Sequence, residues 1–211
     1  MPRLFVGSFL DSHEAERISS ITSARANLFS SAALPHKEKE CRIRALPKEK
    51  LHMTWLFLGA VKSNDIEGLT RKFVVTLELL KNKLSRCAFE INYDHLSLWP
   101  SEDKARVAVL RPSVPPPEVA IIASEIRAAL SDFQENEEVY PEFNPHLTVF
   151  RISPAADLRA TNLLQLPTTQ PPLIMPKPEG VAGGLILPVK QRISIDGIRL
   201  IESENGYTII A

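Results

Sequence analysis

The sequence predicts an α+β protein built from two related halves. Amphipathic helical stretches alternate with short apolar runs of strand length, and the order strand, helix, strand occurs twice. Each copy ends on a strand bearing His-x-Thr, at His52 and His146, 94 residues apart, so the pattern points to an internal duplication. A chain of 211 residues buries a full core as one compact domain or two small lobes.

Residues 4–10 are apolar around Gly7 and short enough for a buried strand. Asp11 or Ser12 then offers an N-cap, Glu14 is placed for a capping box on Asp11, and a helix runs to about Phe29. Past Pro35 and a charged loop, residues 51–58 form a second strand that Gly59 ends. Asn64 or Asp65 caps a helix whose Ile66, Leu69, Phe73, Leu77, Leu80 and Leu84 share one face. Residues 89–99 and 106–110 read as strands joined by the turn at 100–103. The prolines at 115–117 suit a helix start, and Val119, Ile122, Ile126, Leu130 and Phe133 continue that helix. A polar, acidic loop leads into the strand at 145–152. Residues 153–189 hold seven of the seventeen prolines and read as an extended insertion, because proline withholds the backbone donors that helix or sheet requires. Strands at 192–200 and 207–210, joined by a turn at 202–206, close the chain as a hairpin.

Twenty-five basic residues balance twenty-five acidic ones, which excludes the broad positive surface of a duplex-coating protein. Any polyanion must be met locally, and six basic residues from Lys37 to Lys50, against three glutamates, offer a place. The plain alternative is a solvated loop. Cys41 and Cys87 form no CxxC or Cys/His cluster, so neither a disulfide framework nor a metal site is expected, and the setting is read as cytoplasmic. No export leader or apolar stretch of membrane-spanning length is read in the chain.

In a strand, residues i and i+2 share a face, so His52 projects with Thr54 and His146 with Thr148, while Met53 and Leu147 turn to the core. Two such strands brought together would surround one small anion with two imidazoles and two hydroxyls. Opening a cyclic phosphodiester needs a base for water and an acid for the departing ribose oxygen, and imidazole serves both near neutrality. Hydroxyls and a cation hold the phosphate oxygens as charge gathers on them. Arg151 is the candidate cation. Five residues past His146, it falls on the opposite pleat and needs a bulge or the strand's end to reach in. His13 and His36 have no partner and read as structural, and His95-Leu96-Ser97 repeats the spacing without a threonine.

These segments resemble the 2H phosphoesterases, and among them the RNA 2',3'-cyclic phosphodiesterases historically called 2'-5' RNA ligases. The matching pieces are Arg3-Leu4-Phe5-Val6, the run from Leu51-His52-Met53-Thr54-Trp55 to Gly59, Pro145-His146-Leu147-Thr148-Val149-Phe150-Arg151, and Leu200-Ile201 through Tyr207-Thr208. They keep the family's order over nearly the whole chain.

The resemblance implies two pseudo-symmetric lobes, each an antiparallel sheet with outer helices, around a central cleft, in a single domain spanning 1–211. It implies metal-independent opening of a 2',3'-cyclic phosphate on RNA or a nucleotide to a 2'-phosphate, with no cofactor and no membrane partner, by a monomer. His52 and His146 become the acid and base, with His146 activating water. Thr54, Thr148 and Arg151 hold phosphate, and Phe5 flanks a base. Leu56 and the long Pro-rich stretch depart from the family and bear on substrate preference. The alternatives are a non-catalytic nucleotide- or RNA-binding module, and the same chemistry on a 2'-5' oligonucleotide or an ADP-ribose cyclic phosphate.

Overall fold

The computed structural model describes residues 1–31, 42–134, 143–156, 158, 188–204 and 206–211. Most of the expected insertion (159–187), the acidic loop at 135–142, His36 and Cys41 lie outside the described residues.

The first half opens with β1 (Arg3–Phe9) and α1 (Ser12–Ser31). Asp11 caps α1 by accepting the Glu14 amide at 2.9 Å, but the Glu14 carboxylate does not return the bond as a capping box would. It binds Arg17 instead and also accepts the Lys190 amide. Ala15, Ile18, Thr22 and Ala26, three or four residues apart, form the buried face of α1. A short strand, β2 (Arg42–Ala45), stands where a charged loop was expected, and β3 (His52–Ala60) carries the first His-x-Thr.

The second half contains α2 (Ile66–Lys83), β4 (Ala88–Tyr93), β5 (His95–Trp99), β6 (Ala105–Arg111), α3 (Pro117–Leu130) and β7 (Leu147–Ala156). Helix α2 buries Leu69, Phe73, Thr76 and Leu80, and α3 begins with Pro117 in its first turn and buries Val119, Ile122, Ala123, Ile126 and Leu130. The chain ends with β8 (Val189–Ser194), β9 (Arg199–Glu202) and β10 (Thr208–Ile209).

Two expected strands are each divided. Residues 89–99 break at Asp94, so that β4 pairs with β8 while β5 pairs with β6 in another sheet. Residues 192–200 break at a 3-10 turn over Ile195–Gly197 into β8 and β9. Strand β7 runs to Ala156, so the first residues of the expected insertion belong to the sheet.

The large sheet runs β10-β9-β1-β3-β7-β6-β5, with β2 also pairing β7, and the small one is β4-β8. The central order of the large sheet is symmetric: β1-β3 from one half meets β7-β6 from the other. All strand pairs are antiparallel. Strands β3 and β7 meet through one register pair, Met53 with Leu147. Those are the central residues of the two His-x-Thr segments, and both are fully buried, so the core is sealed where the halves join. The architecture is α+β with two pseudo-symmetric lobes of antiparallel strands and outer helices.

Candidate active site

Pairing Met53 with Leu147 dictates the site. Their side chains enter the core, so the flanking His52, Thr54, His146 and Thr148 project from the opposite face around one point. Each of these four is half-buried.

The two histidines are held alike. His52 Nδ1 lies 2.8 Å from the Lys50 carbonyl oxygen, and His146 Nδ1 lies 2.8 Å from that of Asn144. A carbonyl only accepts, so each Nδ1 carries its proton and donates, which leaves each Nε2 lone pair free. The repetition of an i−2 carbonyl at both sites is the duplication expressed in hydrogen bonding.

Burial lowers the pKa of His52 to about 4; the Lys50 carbonyl opposes this, and the positive charges of His146 and Arg151 add to it. Burial also lowers the pKa of His146, opposed by the Asn144 carbonyl and assisted by Arg111. The effect of His146 on His52 agrees with their placement about one register pair.

Arg151 reaches the same face through a bulge. Along β6 and β7, Ala108 pairs with Phe150 and Val109 with Thr148, so Val149 has no partner on β6 and the alternation shifts by one. Val149 and Phe150 are consequently both buried, and Arg151 emerges exposed on the side of Thr148. Strand β3 repeats the device: Val6 pairs with Leu56 and Gly7 with Thr54, which skips Trp55. Trp55 and Leu56 are buried, and Phe57 emerges half exposed where the other half has Arg151.

Phe5 stands beside His52, with ring centroids 4.8 Å apart. Gly7 makes room for it, since a Cβ there would lie 3.0 Å from the Phe5 ring and 3.0 Å from the Met53 carbonyl oxygen. Tyr207 meets the His52 ring edge-on at 5.2 Å, and Phe9 lies at 5.9 Å. Burial raises the pKa of Tyr207, and Arg151 opposes the rise. Trp99 lies 4.5 Å from His146, with the Arg111 guanidinium over its indole at 5.8 Å. Behind the His52 wall, the fully buried Gln191 donates to the Ser8 and Phe9 carbonyls at 2.9 and 3.2 Å and accepts from the Tyr93 hydroxyl at 2.6 Å.

Every residue picked out for the site therefore lies on this face: His52, His146, Thr54, Thr148, Arg151 and Phe5. Sequence reasoning missed Trp99, Arg111, Phe9 and Gln191. Tyr207 was visible only as a letter in the C-terminal match, and the others carry no spacing signal. Among the described residues no group of three or more His, Cys, Asp or Glu side chains could hold a metal ion. No described helix is long and apolar enough to cross a membrane.

The duplicated antiparallel fold is similar to that of LigT and of other solved phosphoesterase structures, the fold that the 2H resemblance implies. In particular, the chain matches E. coli LigT complexed with 3'-AMP at 21% identity and a TM-score of 0.60, over 100% of this chain and 95% of that one. A structure described as a phosphoesterase matches at 18% identity and a TM-score of 0.54, over 100% and 96% of the two chains. The protein TT0787 of Thermus thermophilus matches at 18% identity and a TM-score of 0.56, over 99% and 95%. The likeness is one of fold. No protein-family model matches the sequence, and no curated protein matches it.

Proposed function

We propose that this protein is a 2H phosphoesterase that opens a 2',3'-cyclic phosphate on RNA or a nucleotide to a 2'-phosphate, using His52 and His146 and no metal. The observation that carries the reading is the pair of Nδ1-anchored imidazoles arranged around the Met53–Leu147 register pair, each flanked by a threonine hydroxyl.

In the proposed reaction, a water oxygen attacks phosphorus while one imidazole Nε2 takes the water proton. The bond from phosphorus to O3' breaks, and the other imidazole, protonated, gives its proton to O3'. The product is a 2'-phosphomonoester with a free 3'-hydroxyl, and the net proton balance of the two histidines is restored by exchange with water. Thr54 and Thr148 donate to the non-bridging oxygens, and Arg151 balances their charge. The scheme takes His52 as the acid that protonates O3'. The anionic phosphate supplies that proton's stability on binding, since a nearby negative charge raises an imidazole's pKa. His146 is the base. Phe5, with Tyr207 and Phe9, forms the aromatic wall against which a nucleobase rests. The solved structure of the similar E. coli LigT complexed with 3'-AMP supports a nucleotide ligand.

The test is to incubate the protein with nucleoside 2',3'-cyclic phosphates in EDTA and look for the 2'-monophosphate. His52→Ala and His146→Ala should each lower kcat on the order of 10²- to 10⁴-fold, the usual contribution of a positioned general acid or base. Tight nucleotide binding with no turnover in the unaltered protein would assign the cleft to a binding module instead.

A further inference from the structure

The basic side chains of the run from Lys37 to Lys50 have no part in the chemistry above, and the structure divides its described members. Lys48 is ion-paired with Glu16 on α1. Lys50 holds its ammonium 5.7 Å from the centre of the Tyr207 ring, at the rim beside His52. Arg42 and Arg44 belong to β2, which pairs with β7 in the register Arg42 with Ser153, Ile43 with Ile152, Arg44 with Arg151, and Ala45 with Phe150.

Residues opposite each other in an antiparallel pair share a face, so Arg44 lies on the face of Arg151, and Arg42 lies one pleat repeat further on. Ile43 and Ile152 are buried on the other face, which locks this register. Arg151 is on the histidine side, as its bulge and its effect on both His52 and Tyr207 show. Arg151, Arg44 and Arg42 therefore form an exposed line of guanidinium groups that starts at the histidines and leads away along β2 and β7. No carboxylate among the described residues pairs with any of the three. Like charges directly opposite on paired strands repel, so Arg44 beside Arg151 works against the sheet unless an anion comes between them.

We propose that Arg44 and Arg42 form a second anion subsite, which binds the phosphates on the 5' side of the reacting nucleotide, so that the substrate is the end of an RNA strand rather than a free nucleotide. Two strand residues span about 6.8 Å, a step on the scale of one backbone repeat in an extended single strand. Arginine suits the task because its planar fork grips two phosphate oxygens at once. A formal net charge of zero fits a local track rather than general polyanion binding.

This inference rests on the phosphodiesterase reading, and the experiment keeps the two apart. A nucleoside 2',3'-cyclic phosphate and a tetranucleotide ending in the same group are compared by kcat/KM in the unaltered protein and in Arg42→Gln/Arg44→Gln. The tetranucleotide should be preferred about tenfold or more, and the double variant should remove most of that preference. Its salt dependence should also flatten by about 0.7 in log–log slope for each arginine removed, as expected for contacts to a single strand. The double Arg→Lys variant should restore the slope. A preference ratio near one in the unaltered protein, or a ratio and slope unchanged in the double glutamine variant, overturns the subsite while leaving the phosphodiesterase reading intact. If neither compound is turned over, the phosphodiesterase reading fails. Fluorescence anisotropy of the labelled tetranucleotide then decides the track alone: weaker binding in the double variant upholds it, and equal binding overturns it.

Discussion

An imidazole taken out of water loses more in its charged form than in its neutral form, and this determines the state in which the free protein meets its substrate. His52, with a pKa near 4, and His146, shifted in the same direction, are both neutral at pH 7. In the proposed reaction one of them must be protonated for acid assistance, so kcat/KM, which reports the free enzyme, should peak on the acid side of pH 6.5 and fall as pH rises above it. Bound phosphate restores basicity, so the kcat profile should lie at higher pH than the kcat/KM profile. Steady-state kinetics from pH 4 to 9 measures both, and a kcat/KM that climbs steadily to high pH would remove histidine as the acid. The same shifts bear on stability. Because the folded protein binds fewer protons than the unfolded chain between pH 4 and 6.5, the contribution of His52 is present above pH 6.5 and lost as pH falls through about 4. The histidines and threonines were legible because spacing two in a strand is a statement about faces. Trp99, Tyr207 and Arg111 were not, since their approach to the imidazoles depends on pairings that no short pattern encodes.

Helices α1, α2 and α3 and the two histidine strands were readable from periodicity, and α1 also from its Asp11 cap, whereas Asp65 precedes α2 without a side-chain cap bond; the misreadings fall where periodicity had little to show. Strand β2 is four residues long and half charged, with one buried side chain, Ile43, so alternation has almost nothing to display. The breaks within 89–99 and 192–200 separate strands that pair in different sheets, a long-range fact that apolar content does not record. Bulges are equally silent in sequence, although the need for one at Arg151 followed from parity alone. Strand β1 shows how tightly the wall is built: a side chain at Gly7 meets both the Phe5 ring and the Met53 carbonyl. The carbonyl belongs to a paired strand and cannot yield, so Gly7→Ala should drive the Phe5 ring off His52. The expected outcome is a loss of about 1–3 kcal/mol in urea unfolding, the usual range for overpacking, together with a raised KM. An alanine variant with unaltered stability and KM would show that Phe5 has room to move.

The whole molecule joins distant parts of the chain at its site. Residues 3–9 lie between β3 and β9 in the large sheet, and β8, close in sequence to β9, is in the small one. Between β1 and β9 the register ends at Gly7 with Arg199, so the Ser8 and Phe9 carbonyls lie past the last pair on that edge. Gln191 of β8 answers them with its amide while its own carbonyl accepts from Tyr93 of β4, so one buried side chain ties the small sheet to the strand that pairs with His52. The duplication was visible in the sequence, but this tie was not, because a lone glutamine in a strand reads as a surface residue until the strand's partners are known. Gln191→Leu puts an apolar side chain of similar size in its place and takes away the amide donor to two backbone carbonyls and the acceptor of the Tyr93 hydroxyl, which keeps only the Met53 sulfur at 3.4 Å. Each lost partner costs about 1–3 kcal/mol, and mutual relaxation keeps the total below the sum, so urea unfolding should show a loss of about 3–5 kcal/mol. Tyr93→Phe removes only the hydroxyl and leaves the Gln191 amide bonded to β1, so its loss should be nearer to about 1 kcal/mol. Equal losses in the two variants would mean that the phenol, rather than the amide's grip on β1, holds the sheets together.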